Sequence, residues 1–340
     1  MFSLSEKSLY VESLDLWIDS MRSQQRCYVS HGHSDHAREH NVVVATPNTA
    51  RICRARFARR EEHAELSLLA PAKPVRPQVR FEEHAFNEPW EERNHRLTLF
   101  SAGHVLGSAQ LLIEGAAGRF VYTGDFKLRE SLTVEPPEIK HCDVLLMECT
   151  YGRPQYVFPS HDEIAGQMIA FARSALEGDA VPVFFAYSLG KAQEAMAILG
   201  GAGLPLTVHG AVDNLAQVYE TWGVSLPGYA RYRAETFDTR SVLIWPPGGK
   251  ALPKALRNKP VRTAVLTGWS LDRSALFRYG TERGFALSDH ADYPALLHYV
   301  ERAQPRKVLL NHGWRDFVYR LRALGVEAEY LEDNAQLSFF

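Results

Sequence analysis

The sequence predicts an α/β protein in which a layered, sheet-rich domain is interrupted by a second α/β domain, and three observations carry that prediction. The first 150 residues are dense in short β-branched and aromatic runs. The middle alternates strand and helix regularly, as a parallel sheet covered by helices requires. The last stretch returns to strand–helix units that complete the first layers. At 340 residues the chain exceeds the usual size of one core. The expected division is a discontinuous domain, 1–155 plus 275–340, with 156–274 inserted.

Taken in order, Leu9–Val11, Leu16–Ile18, Val42–Ala45, Leu97–Phe100, Gln110–Ile113, Phe120–Tyr122 and Val144–Met147 read as strands, with one long helical period over Asn48–Arg60. Ser160-His161-Asp162-Glu163 is a capping box that opens a helix with Ile164, Met168, Ile169, Phe171 and Leu176 on its apolar face, closed by Gly178. Strand Val181–Phe185, helix Lys191–Leu199, strand Leu206–His209, a helix near Asn214–Trp222, and strands Val242–Trp245 and Ala264–Leu266 continue the alternation. Strand Phe285–Leu287, helix Tyr293–Ala303, strand Lys307–Leu310 and helix Arg315–Leu324 are expected to finish the first domain.

Composition excludes several classes. With 46% hydrophobic and 23% charged residues the chain reads as an ordinary globular protein, and a net charge of −2 does not advertise a polyanion binder. Any nucleic-acid binding must come from local features. The basic stretch Arg51, Arg54, Arg56, Arg59 and Arg60 can carry backbone phosphates, or can be a solvated face balanced by Glu61 and Glu62. Cys27, Cys53, Cys142 and Cys149 form no CxxC pair and predict reduced thiols in a cytoplasmic protein. No apolar run has signal-peptide or membrane-span length, so no membrane partner is expected.

Chemistry concentrates in Val29-Ser30-His31-Gly32-His33-Ser34-Asp35-His36, where four metal-binding side chains fall within six residues. The apolar approach Cys27-Tyr28-Val29 reads as a buried strand opening into a loop and then a helix. His31 and His33, two apart in extended chain, leave on the same side and can grip one cation. A turn past Ser34 lets Asp35 and His36 address a second. Imidazole with carboxylate suits zinc or manganese. Further candidates sit at strand ends: His104 after Leu97–Phe100, Asp125 after Phe120–Tyr122, His312 after Lys307–Leu310, and His290 in Ser288-Asp289-His290. Glu148 is an acid closing an otherwise apolar strand, which marks a functional role or a cap.

HGHSDH, SAGHVLGSA, TGDF, MECTYG, AYSLGKAQE, LSDHADY and NHG, in this order over nearly the whole chain, resemble the β-CASP branch of the metallo-β-lactamase-fold nucleases, in particular bacterial ligase-associated DNA exonucleases. The resemblance implies an αββα metallo-β-lactamase sandwich with an inserted β-CASP domain. It implies two divalent metal ions, zinc before manganese: His31, His33 and His104 would hold one, Asp35, His36 and His312 the other, with Asp125 bridging. It makes Asp19 the residue orienting the metal loop, matches Glu148 and His290 to the pair acting on the leaving group, and places Ser188 and Lys191 near a substrate phosphate. Asp35 and Asp125 thereby count as catalytic residues as well. The implied activity is hydrolysis of DNA phosphodiesters by an exonuclease in DNA repair, with nucleic acid as substrate and a DNA ligase or helicase as partner. The alternative is RNA processing, because a histidine at the last motif, here His312, is associated in the family with RNA. A small-molecule thioester or lactam hydrolase is disfavoured by the inserted domain and by Glu148 and His290.

Overall fold

A computed structural model describes residues 2–5, 8–65, 78–247, 252–331 and 336–337. The chain divides into two compact units, the first comprising Met1–Leu128, Glu135–Arg153 and Pro294–Phe340, the second Arg129–Val134 and Pro154–Tyr293.

Within the first unit the described residues form two seven-stranded sheets. One runs in chain order from Phe2–Ser5 through Ser8–Val11, Leu16–Ile18, Arg26–Tyr28 and Val42–Ala45 to Arg80–Glu83, with Gln336–Leu337 on its outer edge. The other is ordered Glu327–Tyr330, Lys307–Gly313, Val144–Cys149, Gly118–Tyr122, Ala109–Gly115, His95–Ser101, Trp90–Glu92. Every second residue of these strands points inward: Leu9 and Val11, Leu16 and Ile18, Leu97 and Leu99, Leu111 and Ile113, Phe120 and Tyr122, Val144 and Leu146 make one buried cluster between the sheets. Each such buried aliphatic contributes roughly 1.5–3 kcal/mol. The opposite faces are covered by helices. Pro47–Glu65 lays Cys53 and Phe57 on Val43 and Ala45 of the first sheet. Tyr293–Ala303 covers the second, where the Tyr299 hydroxyl donates to Gln110 Oε1 at 2.6 Å and its ring lies 4.8 Å from that of Phe126. The layers therefore run helix, sheet, sheet, helix.

The second unit holds a six-stranded parallel sheet ordered Tyr229–Arg231, Leu206–Val208, Val242–Trp245, Val181–Phe185, Val261–Leu266, Arg283–Phe285. The capping box forms: Ser160 Oγ accepts from the Glu163 amide, and the Ser160 amide donates to Glu163 Oε2 at 2.8 Å. The helix expected near Asn214 begins earlier, at Gly210, because His209 caps it, its Nδ1 accepting from the Ala211 amide at 3.0 Å.

Several expectations shift. The strand expected at Phe285–Leu287, as a return to the first domain, is Arg283–Phe285 and pairs in parallel with Val261–Leu266. The compact units accordingly divide at Tyr293 and Pro294, not at 275. The segment Arg129–Val134 also joins the second unit, because the buried Glu194 carboxylate accepts from Ser131 Oγ, the Leu132 amide and Thr133 Oγ1. The helix expected after His36 is absent: the His36 and Ala37 amides both donate to the His33 carbonyl, and the chain then stays irregular until the Asn41 and Val42 amides meet the Gln24 and Gln25 carbonyls. Among the described residues no helix is long and apolar enough to cross a membrane.

Candidate metal centre

Asp19 organises the loop that follows strand Arg26–Tyr28. It adopts φ +45°, its amide donates to the Tyr28 carbonyl at 2.8 Å, and only 8% of it is exposed. Its Oδ1 accepts from the Ser30 amide at 2.7 Å. Its Oδ2 meets Ser30 Oγ at 2.5 Å, the Tyr122 hydroxyl at 2.8 Å and His36 Nδ1 at 2.8 Å. A carboxylate beside Nδ1 makes that nitrogen the donor and leaves Nε2 as the face that takes up a proton or, in its place, a cation. His36 Nε2 then lies 3.4 Å from Asp125 Oδ2. Burial opposes protonation of His36, yet Asp125 and Asp19 hold its pKa well above the ordinary value.

His31, His33 and His104 form one cluster, with their nitrogens within 4.8 Å of one another, and His31, His36 and Asp125 form a second by the same measure. His104 Nε2 and His33 Nδ1 are 3.0 Å apart, and His31 Nε2 lies 3.7 Å from Asp125 Oδ2. Two ligand atoms on a tetrahedral zinc stand ~3.3 Å apart, given bonds of ~2.0 Å. Burial, with His36 and His104 next, pushes the His31 pKa well below its usual value, so the ring is neutral, as a metal ligand must be. His31 Nε2 is buried without a hydrogen bond, while Nδ1 lies 3.0 Å from Ser30 Oγ. An orphaned lone pair among imidazoles and a carboxylate fits a divalent cation.

The His104 loop is held from several sides. The His104 and Val105 amides donate to Ser108 Oγ at 3.0 and 3.2 Å, and the Gly107 carbonyl accepts from Thr46 Oγ1 and Thr49 Oγ1 at 2.6 and 2.8 Å. Glu135 accepts from the Gly107 amide and from Asn48 Nδ2. Gly103 has φ +69°, and a Cβ there would stand 2.4 Å from the Lys127 carbonyl, so only glycine lets the two segments meet. Arg56 Nη1 donates to the Gly32 carbonyl at 2.7 Å, bracing the His-Gly-His turn. Of the other arginines in the basic stretch, Arg54 pairs with Glu83, and the side chains of Arg59 and Arg60 lie outside the described residues.

Glu148 is buried, and its Oε1 accepts from the Phe126 amide at 2.9 Å, next to Asp125. On the neighbouring strand Asn311 pairs with Glu148 and Gly313 with Cys149, so His312 is the extra residue of a β-bulge at φ +50°. Bulges re-aim side chains. His312 is exposed, with its ring 5.7 Å from that of His36. Asp35 is exposed on the turn and belongs to neither of the two clusters described.

His290, Ser188 and Lys191 belong to the second unit. The His290 amide donates to Ser288 Oγ at 3.1 Å, and the Ser188 carbonyl accepts from Gln193 Nε2 at 3.0 Å. Lys191 Nζ donates to Asp289 Oδ2 at 2.6 Å with both side chains buried, so an acid within the protein balances its charge. Removing one partner of such a pair costs about 3–5 kcal/mol, a structural value. Reading residues alone missed Ser30, Tyr122, Thr46, Thr49 and Glu135. Their one local signal was the Thr-Pro-Asn-Thr helix start, which reads as a cap and not as support for a metal loop.

A family model described as the Zn-dependent metallo-hydrolase RNA specificity domain, RMMBL, matches residues 283–334. A probable DNA ligase from Opitutus terrae is 38% identical over 97% of this chain, which corresponds to 31% of that protein. The RNase J-like protein of Methanocaldococcus jannaschii is 24% identical over 66% of each chain. The chain belongs to the β-CASP branch of the metallo-β-lactamase fold. A crystal structure of a protein of unknown function from Enterococcus faecalis shares the fold, with a TM-score of 0.62 at 14% identity over 92% of this chain and 80% of that one. A β-CASP chain of this kind implies use of a divalent metal, which the histidine and aspartate clusters fit. The chain spans less than two thirds of the length of both curated relatives, about a third of the ligase.

Proposed function

We propose that this β-CASP protein is a metal-dependent nuclease acting on DNA, with the first unit as the metallo-β-lactamase domain and the second as the β-CASP domain. The observation that carries the reading is the packing of His31, His36 and His104 around Asp125, with His33 against His31 and His104, and a buried His31 Nε2 without a hydrogen bond. His31, His33 and His104 would hold one zinc ion and Asp35, His36 and His312 a second, Asp125 serving both; manganese is the alternative metal. Bound cations would supply Lewis acidity to the attacking water and to the phosphoryl oxygens.

The chain's own residues do the rest. Asp19 fixes the tautomer and aim of His36, and Ser30 and Tyr122 fix Asp19. Glu148 holds the Phe126 amide and with it the segment carrying Asp125. The family motif assigns His290 to protonation of the departing oxygen. The ligase relative, matched over nearly all of this chain, supports DNA as substrate, DNA repair as setting and a DNA ligase as partner, whereas a helicase partner rests on sequence resemblance alone. The buried free cysteines fit a reducing, cytoplasmic setting.

RNA is the second reading, favoured by the RNA specificity match over residues 283–334 and by the RNase J-like relative. End-labelled single strands of matched DNA and RNA, each with phosphate or hydroxyl at either end, incubated with zinc or manganese, decide between them. Faster turnover of DNA is expected. Faster turnover of RNA reverses the substrate, and failure to cut either strand sinks the nuclease reading.

A further inference from the structure

His312 stands in a left-handed backbone conformation, φ +50°, that a histidine rarely adopts and that lasts only where neighbours impose it. Those neighbours lie one strand away, at the end of Val144–Cys149. The Cys149 carbonyl accepts from two amides, that of Gly152 on its own turn and that of Trp314 just past the bulge, each at 3.0 Å. Gly313, at φ +125°, packs so closely on the same carbonyl that no Cβ would fit. A Cβ at Gly152 would stand 3.0 Å from that of Phe317, whose side chain is fully buried. The turn after Cys149 and the turn after His312 are thus packed directly on one another.

One side chain straps the two turns together. Arg153, on the first, lays its guanidinium over the Trp314 indole, 3.4 Å from the ring centroid, and its Nη2 donates to Asp316 Oδ2 at 2.8 Å. A planar guanidinium that is stacked and hydrogen-bonded at once has little freedom to move. The side chains of Arg153 and Asp316 are 36% and 64% exposed, and an ion pair so open to water adds little to the stability of a fold. Its effect falls on what it holds in place, and two residues before Trp314 that is His312, with its ring 5.7 Å from that of His36.

We propose that Arg153 is a positioning residue: by clasping Trp314 and Asp316 it fixes the backbone of the His312 bulge beside His36, leaving only the imidazole to be brought onto the second cation. This rests on the reading of His312 as a ligand of that cation.

The test is graded removal of zinc from the loaded protein by a competing chelator, which reads both affinities apart from turnover. Arg153→Ala is expected to weaken the second ion about tenfold, as loss of a group that orients a ligand does, and to leave the ion of His31, His33 and His104 unchanged. Arg153→Lys keeps a cation over the indole without the planar fork and should recover part of the loss. Should Arg153→Ala fail to fold, Asp316→Asn carries the same test with a change of about twofold, since it alters only an exposed carboxylate. Unchanged affinity for the second ion overturns the proposal, as does a lysine variant no better than alanine. Equal weakening of both ions also overturns it, being the mark of a general loosening of the fold. His312→Ala separates the two levels of failure. If that variant holds both ions as tightly as wild type, His312 is no ligand and the metal assignment falls; if it loses the second ion while Arg153→Ala keeps it, only the positioning role falls.

Discussion

His31, His33 and His104 stand edge to face with ring centroids 4.5–4.9 Å apart, His31 and His104 fully enclosed, on loops tied down by Ser30, Ser108, Thr46 and Thr49. Across Asp125 only His36 is buried: His312 rides an exposed bulge and Asp35 an exposed turn. One side of the centre is preorganised by the fold. The other has one fixed ligand and two that must be gathered, at an entropic cost taken from binding. The proposed second cation should accordingly be the weaker and more readily exchanged.

Replacing His33 with Ala breaks the preorganised side and carries the largest expected effect: zinc content by mass spectrometry falls, and turnover drops roughly a thousandfold, about 4 kcal/mol of barrier. Full zinc in the purified variant would show that the three imidazoles do not act as one site. A sharper comparison comes from His312→Ala. Stoichiometry should fall from two ions to one while the His31, His33 and His104 side stays loaded, and the activity lost should return in part at high zinc. Loss of both ions would mean the two sides are equally built.

The smallest effect concerns the loop itself. His40 is buried and accepts from the Gln24 amide, and burial pushes its pKa down to about 4. A histidine lowered on folding supports the fold above its unfolded pKa of about 6.5 and loses that support as pH falls towards 4. Between pH 7 and 4.5 the metal-free protein should lose about 2–3 kcal/mol through this group. Urea unfolding of wild type and His40→Gln at both pH values should show the difference; parallel losses would clear His40 of the role.

Much of this was readable in the residues because it is local. Short β-branched and aromatic runs located the sandwich strands, and six consecutive residues announced a metal site. Long-range pairing was not readable. Nothing near Lys191 in sequence reveals its partner Asp289, 98 residues away. Arg283–Phe285 could have joined either unit, since an apolar run does not name the strand it pairs with. The irregular chain after His36 follows from the bonds of Asn41 and Val42 to Gln24 and Gln25, which again are not neighbours.

Three hydrogen bonds join the two sheets at the end that carries the imidazoles: Tyr122 hydroxyl to Asp19, Tyr28 hydroxyl to the Ala109 carbonyl at 2.7 Å, and Ala109 amide to the Ser30 carbonyl at 2.9 Å. Apolar contacts between sheets are non-directional and tolerate sliding, but these bonds do not. The sandwich is thus pinned at one end, and the pin is the same Asp19 that aims His36. By linkage, whatever occupies the site also holds the sheets in register, so the free concentration of the cation would help set how long the folded chain resists opening and proteolysis.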